Sequence, residues 1–138
     1  MVDIVSPQAR SRMMASIRGA DTAPELLVRT YLHRAGLRFR VHVRQLPGTP
    51  DLVFPNRKLA VFVHGCFWHR HVGCPYCTTP ATRPDFWARK FEANRARDRR
   101  NVEQLHQIGW AVLTVWECQT ASIDELDMLF WQILAAQP

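Results

Sequence analysis

Apolar residues recur at helical spacing in four stretches of the chain, and they alternate with polar residues or form short runs in four others. Helix-start signals mark where the helical stretches begin. Thr22-Ala-Pro-Glu25 and Ser122-Ile-Asp-Glu125 fit the capping box, and Pro7 and Pro84 suit a first helical turn. The predicted helices cover about residues 6–19, 22–36, 84–109 and 122 onward.

The remaining apolar stretches predict a sheet. Alternation over Leu37–Val43 is typical of a half-buried strand, and two short runs, Asp51–Phe54 and Leu59–Val63, flank a turn at Pro55. The run Trp110–Glu117 is the most apolar and predicts a central strand. The element order α-α-β-β-β-loop-α-β-α predicts an α/β fold, a mixed sheet flanked by helices, in one domain spanning residues 1–138.

Charge is placed unevenly along the chain. All 18 lysine and arginine residues lie at or before Arg100 and 16 of them are arginine, whereas residues 101–138 hold five acidic and no basic side chains. Arginine binds phosphate through paired hydrogen bonds and stacks on bases, so this bias favours a polyanion such as DNA. No apolar run reaches the ~18 residues of a membrane span, and the N-terminus lacks a secretory signal, so we expect a cytoplasmic protein.

Cysteine and histidine crowd into the segment that follows the third predicted strand. Cys66, His71 and Cys74 can converge on one zinc ion from a single loop, and a fourth ligand would complete a closed, structural site. Cys77 would give a local site, whereas Cys118 would tie the loop to the last strand. We favour Cys118, because a long loop needs an anchor.

Two histidines of the same segment, His64 and His69, are left over once four zinc ligands are assigned. Asp51 begins the strand that precedes them. If the strands bounded by Asp51 and His64 pair as a hairpin, the two side chains meet at one end of the sheet, where a carboxylate can hold Mg²⁺ beside a phosphate. The competing interpretation of Asp51 is a residue of the turn that precedes the strand. Glu25, another acidic candidate, has the competing interpretation of a helix-capping residue, because it completes the Thr22–Glu25 capping box.

Three large rings accompany these residues. Phe67 and Trp68 lie between the histidines in the loop, and Trp87 lies on the apolar stripe of the helix that follows. Packing in a core is the ordinary role of such rings. Rings in a loop with polar neighbours can also insert between base pairs.

Several segments together resemble the bacterial very short patch repair (Vsr) endonucleases across nearly the whole chain. The most specific is His-Gly-Cys-Phe-Trp-His at residues 64–69, and further matches are Pro47-Gly48-x-Pro50-Asp51, Pro80–Arg83, Arg97–Arg100 and Gly109–Cys118. The resemblance implies a restriction-endonuclease-like core with a structural zinc. It also implies Mg²⁺-dependent nicking of duplex DNA 5′ to the thymine of a T:G mismatch, the product of 5-methylcytosine deamination.

The same resemblance implies a role for each candidate residue. Asp51 and the backbone carbonyl of Val63 resemble the Mg²⁺ ligands. His69 resembles the residue that activates the attacking water, with His64 as its active-site neighbour, and Glu25 resembles an acidic residue one layer out from the metal. The rings that resemble those intercalating beside the mismatch are Phe67, Trp68 and Trp87.

The resemblance further implies a bacterial, nucleoid-associated monomer that works beside mismatch-repair proteins and a repair polymerase, with the helix over about 6–19 contacting DNA. Family members often carry threonine where this chain has Val63, and Cys77 is an additional cysteine. From the residues alone, the alternative is a DNA-binding module held together by zinc and without catalytic activity.

Overall fold

The computed structural model describes residues 22–136, and the helix predicted over residues 6–19 lies outside them. Three helices and four strands make up the described part of the chain. In order they are α1 (Ala23–Arg34), β1 (Arg40–Val41), β2 (Leu52–Phe54), β3 (Leu59–His64), α2 (Pro84–Gln107), β4 (Ala111–Trp116) and α3 (Ile123–Ala135). Short 3-10 turns at Pro55–Arg57 and Glu117–Gln119 follow β2 and β4.

The helices begin where the capping residues predict. Thr22 Oγ1 accepts a hydrogen bond from the Glu25 N–H at 3.4 Å, and Ser122 Oγ accepts one from the Glu125 N–H at 3.3 Å. These caps bind backbone N–H groups that have no partner within the helix. Pro84 lies at the start of α2, where its missing N–H costs nothing.

The four strands form one mixed sheet in the order β1-β2-β3-β4. β2 and β3 pair as an antiparallel hairpin with Leu52 opposite Val61. β3 and β4 are parallel, because α2 carries the chain back between them, and His64 lies opposite Trp116 at their shared end. The predicted hairpin and the mixed α/β architecture are therefore confirmed.

Helices cover both faces of this sheet. α1 and α3 pack on one face, where the side chains of alternate β3 residues join theirs in the larger apolar cluster. α2 covers the other face through a smaller cluster around Leu105. The alternation of β3 between the two faces is complete: the larger cluster contains Leu59, Val61 and Val63, and the smaller one contains Ala60 and Phe62.

Two strand predictions were wrong in extent or place. Of the predicted strand Leu37–Val43, only β1 pairs in the sheet, because His42 has a φ of 48° and left-handed backbone ends the pairing. β4 lies at the edge of the described sheet rather than in its centre. Its apolar run reflects cover on both faces, since Val115 packs in the larger cluster and Val112 against the smaller one.

One residue of the last helix also departs from the predicted pattern. Leu126, Leu129 and Ile133 of α3 are buried as the helical spacing predicts, but Ile123 is 64% exposed because it lies in the first turn, at the rim of the sheet. Among the described residues, no helix combines the length and apolar character needed to cross a bilayer.

Candidate active site and metal centre

Asp51 lies where the start of β2 meets the end of β3. Its Oδ2 accepts a hydrogen bond of 2.7 Å from the backbone N–H of Val63. The N–H and C=O of one strand residue point to the same side of the strand, so the Val63 carbonyl is also directed toward the edge at which Asp51 lies. An acidic oxygen and a backbone carbonyl therefore lie at one end of the sheet.

Glu25 and His42 join Asp51 in a group that we call the carboxylate site. One ligand atom from each of the three lies within 4.8 Å of the others. Glu25 Oε2 is 3.0 Å from Nε2 of His42 and 2.9 Å from a guanidinium nitrogen of Arg29. Oδ1 of Asp51 is 3.9 Å from the same His42 nitrogen. Two carboxylates at this spacing provide the oxygen ligands that Mg²⁺ favours.

Glu25 is both a helix-start residue and a member of this site. Its backbone N–H binds the Thr22 side chain, while the residue as a whole is only 3% exposed. A carboxylate so deeply buried requires charged or hydrogen-bonding neighbours, and Arg29 and His42 supply them. The capping interpretation of Glu25 therefore does not exclude a functional one.

Burial raises the pKa of Asp51 to about 6, and the nearby Glu25 carboxylate acts in the same direction. The Val63 N–H and the His42 imidazole oppose this shift. A raised carboxyl pKa shows that the protein neighbours do not fully compensate the negative charge. Such a group is suited to bind a cation, and groups of this kind concentrate at functional sites.

A second group, which we call the histidine site, lies at the same end of β3 on the side that α2 covers. The rings of His64 and His69 stack with centroids 3.9 Å apart and planes 5° from parallel. His69 Nδ1 lies 2.6 Å from Oδ2 of Asp98, a residue on the inward face of α2. This short contact orients the His69 ring and leaves its Nε2 available to a substrate or to water.

The surroundings of His64 determine its protonation state. Burial lowers the pKa of His64 to about 4, the His69 imidazole acts in the same sense, and the Asp98 carboxylate opposes it. His64 is therefore neutral at physiological pH. A neutral imidazole can accept a hydrogen bond or bind a cation, but it does not contribute positive charge.

The predicted catalytic residues fall into these two adjacent groups instead of a single one. Asp51 and Glu25 belong to the carboxylate site, whereas His64 and His69 belong to the histidine site. Asp51 and His64 do lie at the same end of the sheet, as the hairpin predicts. Their ligand atoms are nevertheless in separate groups, because the Val63 amide and α1 hold Asp51 while α2 holds His69.

Sequence reasoning missed Asp98 and His42 as site residues. Asp98 lies on the α2 stripe one turn after Asn94, whose side-chain Nδ2 donates to the Trp68 carbonyl at 3.2 Å. Two polar side chains four residues apart on an otherwise inward-facing stripe were the signal that could have found Asp98. For His42 no comparable signal exists, since it lies within an alternating strand pattern.

Four of the predicted zinc-ligand candidates come together. Cys66, His71, Cys74 and Cys118 present ligand atoms that all lie within 4.8 Å of one another. Cys77 lies outside this group, and its backbone N–H donates to the Cys74 carbonyl at 2.9 Å. Cys66 follows β3 and Cys118 follows β4, so the parallel pairing of these strands brings the two sulfurs to one end of the sheet.

The spacing of this Cys/His cluster fits a tetrahedral ion. Nδ1 of His71 lies 3.6 Å from Sγ of Cys66 and 3.4 Å from Sγ of Cys118. A tetrahedron with zinc–sulfur and zinc–nitrogen bonds of ordinary length has sulfur–nitrogen edges of about 3.6 Å. Burial raises the pKa of the Cys66 thiol to about 12, so a bound cation is needed to keep this sulfur as a thiolate.

Trp116, the last residue of β4, lies between the cluster and the histidine site. Its ring stacks on the His71 imidazole at a centroid distance of 4.3 Å, with the planes 7° from parallel. The His64 ring meets it edge-on at 5.4 Å. The Trp116 ring therefore contacts both the Cys/His cluster and the histidine site.

The three predicted intercalating rings also come together. Phe67 packs against Trp68 and Trp87 with centroids 5.0 and 5.7 Å apart, and the buried Phe91 supports them from α2 at 5.3 Å from Phe67. Phe67, Trp68 and Trp87 are only half-buried. The rings therefore form a partly exposed aromatic cluster next to the histidine site, not a closed core.

A shallow cavity of about 460 Å³ opens beside the histidine site. His64, His69 and Asp98 line it together with two arginines of α2, Arg95 and Arg99. Guanidinium groups next to a pair of imidazoles can hold a phosphate in reach of a proton acceptor.

The raised pKa of Asp51 predicts a pH-dependent change in stability. The folded protein binds more protons than the unfolded chain between about pH 4 and pH 6, so the Asp51 carboxylate destabilises the fold increasingly as pH rises through this range. Without added divalent cations, Asp51→Asn should therefore be more stable than wild type at pH 7, by roughly 1–3 kcal/mol, and equally stable near pH 4. Urea unfolding at several pH values measures this difference.

Glu92→Gln is the matched control, because Glu92 is an exposed carboxylate on α2. The lowered pKa of His64 makes stability rise with pH between about 4 and 6.5. This contribution is the same in wild type and in Asp51→Asn, so it cancels when the two proteins are compared. An Asp51→Asn protein less stable than wild type at pH 7 would contradict the expectation.

Residues 2–74 match the family described as DNA mismatch endonuclease Vsr. A type II nicking enzyme of Xanthomonas oryzae pv. oryzae, V.XorIIP, is 48% identical over 134 residues, which cover 97% of this chain and 98% of that enzyme. The DNA mismatch endonuclease Vsr of Escherichia coli is 42% identical over 126 residues, covering 91% of this chain and 80% of the relative.

A third relative is V.NmeAIP, a type II nicking enzyme of Neisseria meningitidis. It is 40% identical over 119 residues, which cover 86% of this chain and 84% of that enzyme. Identity at this level over nearly full lengths extends well beyond a shared fold. The chain therefore belongs to the Vsr family of DNA mismatch endonucleases and is an endodeoxyribonuclease.

Proposed function

We propose that this enzyme nicks one strand of duplex DNA 5′ to the thymine of a T:G mismatch, in a reaction that requires Mg²⁺. The observation that carries the proposal is the 2.6 Å contact between His69 Nδ1 and Asp98 Oδ2, at the same end of β3 as the carboxylate site. A proton acceptor and a cation-binding carboxylate are the two parts that hydrolysis of a phosphodiester needs.

In this proposal His69 accepts the proton of the attacking water. Its Nδ1 donates to Asp98, so the lone pair is on Nε2. Water deprotonated by Nε2 attacks phosphorus, and the bond from phosphorus to the 3′ oxygen breaks. The departing 3′ oxygen takes a proton from solvent water, so the products are a 3′ hydroxyl and a 5′ phosphate, and the His69 imidazolium returns its proton to solvent. Asp98 stabilises the imidazolium that forms, and the neutral His64 ring stacked on His69 keeps its plane fixed.

Asp51 and the Val63 carbonyl would hold the Mg²⁺, with Glu25 one layer out. When bound, Mg²⁺ neutralises charge on the scissile phosphate and makes its coordinated water more acidic. The residues fit this ion, because Oδ1 of Asp51 is not engaged by the Val63 amide and the Asp51 pKa is raised by burial. Val63 offers only its backbone, since its side chain is apolar and packs in the core.

The charge and the aromatic rings support a distorted duplex as the substrate. Arg95 and Arg99 line the cavity at the histidine site and can hold the backbone phosphates there. The half-buried aromatic cluster can enter the base stack beside the mismatch, at a cost of a few kcal/mol per unstacked step. Because Phe67, Trp68 and Trp87 already pack on one another, little side-chain entropy is lost on insertion.

We further propose that the Cys/His cluster binds a structural zinc and that the core is restriction-endonuclease-like. Four ligands leave no open position on a tetrahedral ion, which suits a structural site and not a catalytic one. In the same proposal the chain is one domain that works as a monomer, its segment 6–19 contacts DNA, and its nicks are used by mismatch-repair proteins and a repair polymerase.

The experiment that tests the function is a nicking assay on a duplex with a single T:G pair. With Mg²⁺, wild type should cut only the thymine strand. Asp51→Ala should lower the rate at least about 1,000-fold, while binding measured without Mg²⁺ stays within about tenfold. If the wild type binds T:G duplexes in several sequence contexts but nicks none, the non-catalytic DNA-binding module is the correct alternative.

The role of Asp98 makes a separate prediction. Asp98→Asn keeps the size of the side chain but removes the charge and permits the amide to donate to His69, which moves the lone pair away from Nε2. The single-turnover nicking rate should fall by about 100-fold or more, with DNA binding unchanged. Asp124→Asn, at an exposed aspartate of α3, is the control. A fall of less than threefold in Asp98→Asn would show that His69 does not depend on it.

The two alternative zinc ligands can be separated by paired substitutions. Cys118→Ser should lose bound zinc and lower the melting temperature, as should Cys66→Ser, because a structural metal site contributes directly to folding free energy. Cys77→Ser should retain about one zinc per chain, as expected for four ligands without it. Elemental analysis of purified proteins measures this. Zinc retained in Cys118→Ser and lost in Cys77→Ser would reverse the assignment.

A further inference from the structure

His42 lies opposite Asp51 across the β1–β2 pair. The register that places Val41 opposite Leu52 continues by one residue, and the His42 backbone N–H donates to the Asp51 carbonyl at 3.3 Å. The φ of His42 is 48°, a left-handed value that is sterically unfavourable for a residue with a side chain. The fold therefore retains an unfavourable backbone at the position that faces the carboxylate site.

The His42 side chain binds one carboxylate of that site and lies close to the other. Its Nε2 is within hydrogen-bond distance of Glu25 Oε2, at 3.0 Å. The same nitrogen is 3.9 Å from Asp51 Oδ1, too far for a hydrogen bond but close enough to limit where that oxygen can turn. One guanidinium nitrogen of Arg29 lies 2.9 Å from Glu25 Oε2 and 3.4 Å from His42 Nε2, so the three side chains form one contact group.

We propose that His42 is a positioning residue for the metal-binding carboxylates of this enzyme, acting through its hydrogen bond to Glu25. This inference rests on the proposed Mg²⁺ site at Asp51. Two nearby carboxylates with little solvent repel each other, so their arrangement depends on neighbouring groups that donate hydrogen bonds to them. The imidazole binds Glu25 directly, and by fixing Glu25 it limits how far the adjacent Asp51 side chain can move.

The contacts around the two carboxylates show where His42 acts. Oδ2 of Asp51 is engaged by the Val63 amide at 2.7 Å, which fixes one oxygen. Arg29 binds Glu25 from within α1, four residues along the same helix. His42 directly follows β1, and its side chain contacts Glu25 of α1, so it links the sheet to the helix that carries Glu25.

Two substitutions separate positioning from packing. In His42→Gln the amide nitrogen stands as many bonds from the backbone as the imidazole Nε2, so the hydrogen bond to Glu25 can be kept. His42→Leu has a similar volume but no donor. Neither residue is β-branched, so both tolerate the left-handed backbone equally, and the comparison isolates the hydrogen bond. His106→Leu, at an exposed histidine of α2, controls for the added apolar side chain.

The test is calorimetric titration of the zinc-loaded, full-length protein with Mn²⁺ as a probe for the Mg²⁺ site. His42→Leu should bind Mn²⁺ about tenfold or more weakly than wild type, the usual effect of losing a partner that orients a metal ligand. His42→Gln should bind within about threefold of wild type. Asp51→Ala gives the baseline for Mn²⁺ bound elsewhere. Nicking by the two His42 variants should follow the same order.

Three outcomes would overturn the role of His42. Equal Mn²⁺ affinity in His42→Leu and wild type would show that the imidazole positions nothing. Equal loss in His42→Gln and His42→Leu would show that the ring itself, and not its hydrogen bond, is required. A nitrogen coupling to bound Mn²⁺ in pulsed electron paramagnetic resonance that disappears in His42→Gln would make His42 a direct ligand. Because Mn²⁺ binding is measured without DNA, the result stands apart from whether the wild type nicks.

Discussion

The hydrogen bond from the Val63 N–H to Asp51 Oδ2 is the contact around which the rest of the site is arranged. At 2.7 Å it is a charge-assisted bond of the strong kind. The Val63 amide lies beyond the last paired residues of the β2–β3 hairpin, Leu52 and Val61. It therefore donates to the Asp51 carboxylate and not to a backbone carbonyl of the neighbouring strand. The position of the acid is thereby fixed by the register of β2 and β3, which the apolar core determines through Leu52 and Val61.

The histidine site depends on the same end of the sheet but is held by different elements. His64 is the last residue of β3, whereas His69 belongs to the loop that follows. That loop runs to α2 with only turns and bends, so it relies on anchors. The Cys/His cluster ties it to the end of β4, and two α2 side chains bind it, Asn94 at the Trp68 carbonyl and Asp98 at His69. In the proposed mechanism, a metal bound in the cluster would order this loop and would not contact the phosphate.

Much of this arrangement could be predicted from the sequence, and the remainder depends on contacts between distant segments. Capping residues and apolar periodicity predict the three described helices and the β2–β3 hairpin, because these signals are local. The shortening of β1 follows from the left-handed backbone at His42, for which an alternating pattern gives no indication. Apolar packing against both faces of β4 made an edge strand resemble a central one. The spacing of Asn94 and Asp98 on α2 marks Asp98 as inward-facing, but its contact with His69 depends on how α2 packs. His42 reaches the site through the pairing of β1, which no spacing along the chain encodes.

In the proposed mechanism the catalytic cation binds at Asp51 and the Val63 carbonyl, while His69, oriented by Asp98, is the proton acceptor beside it. Both groups contain enough ligand atoms to attract a divalent ion, so the location of the ion is the decisive question. The most direct measurement is anomalous scattering from Mn²⁺ in crystals of the protein bound to an uncleavable T:G duplex. A peak within bonding distance of Asp51 Oδ1 and the Val63 carbonyl oxygen is expected. A peak among His64, His69 and Asp98, with none at Asp51, would show that the cation binds at the histidine site instead.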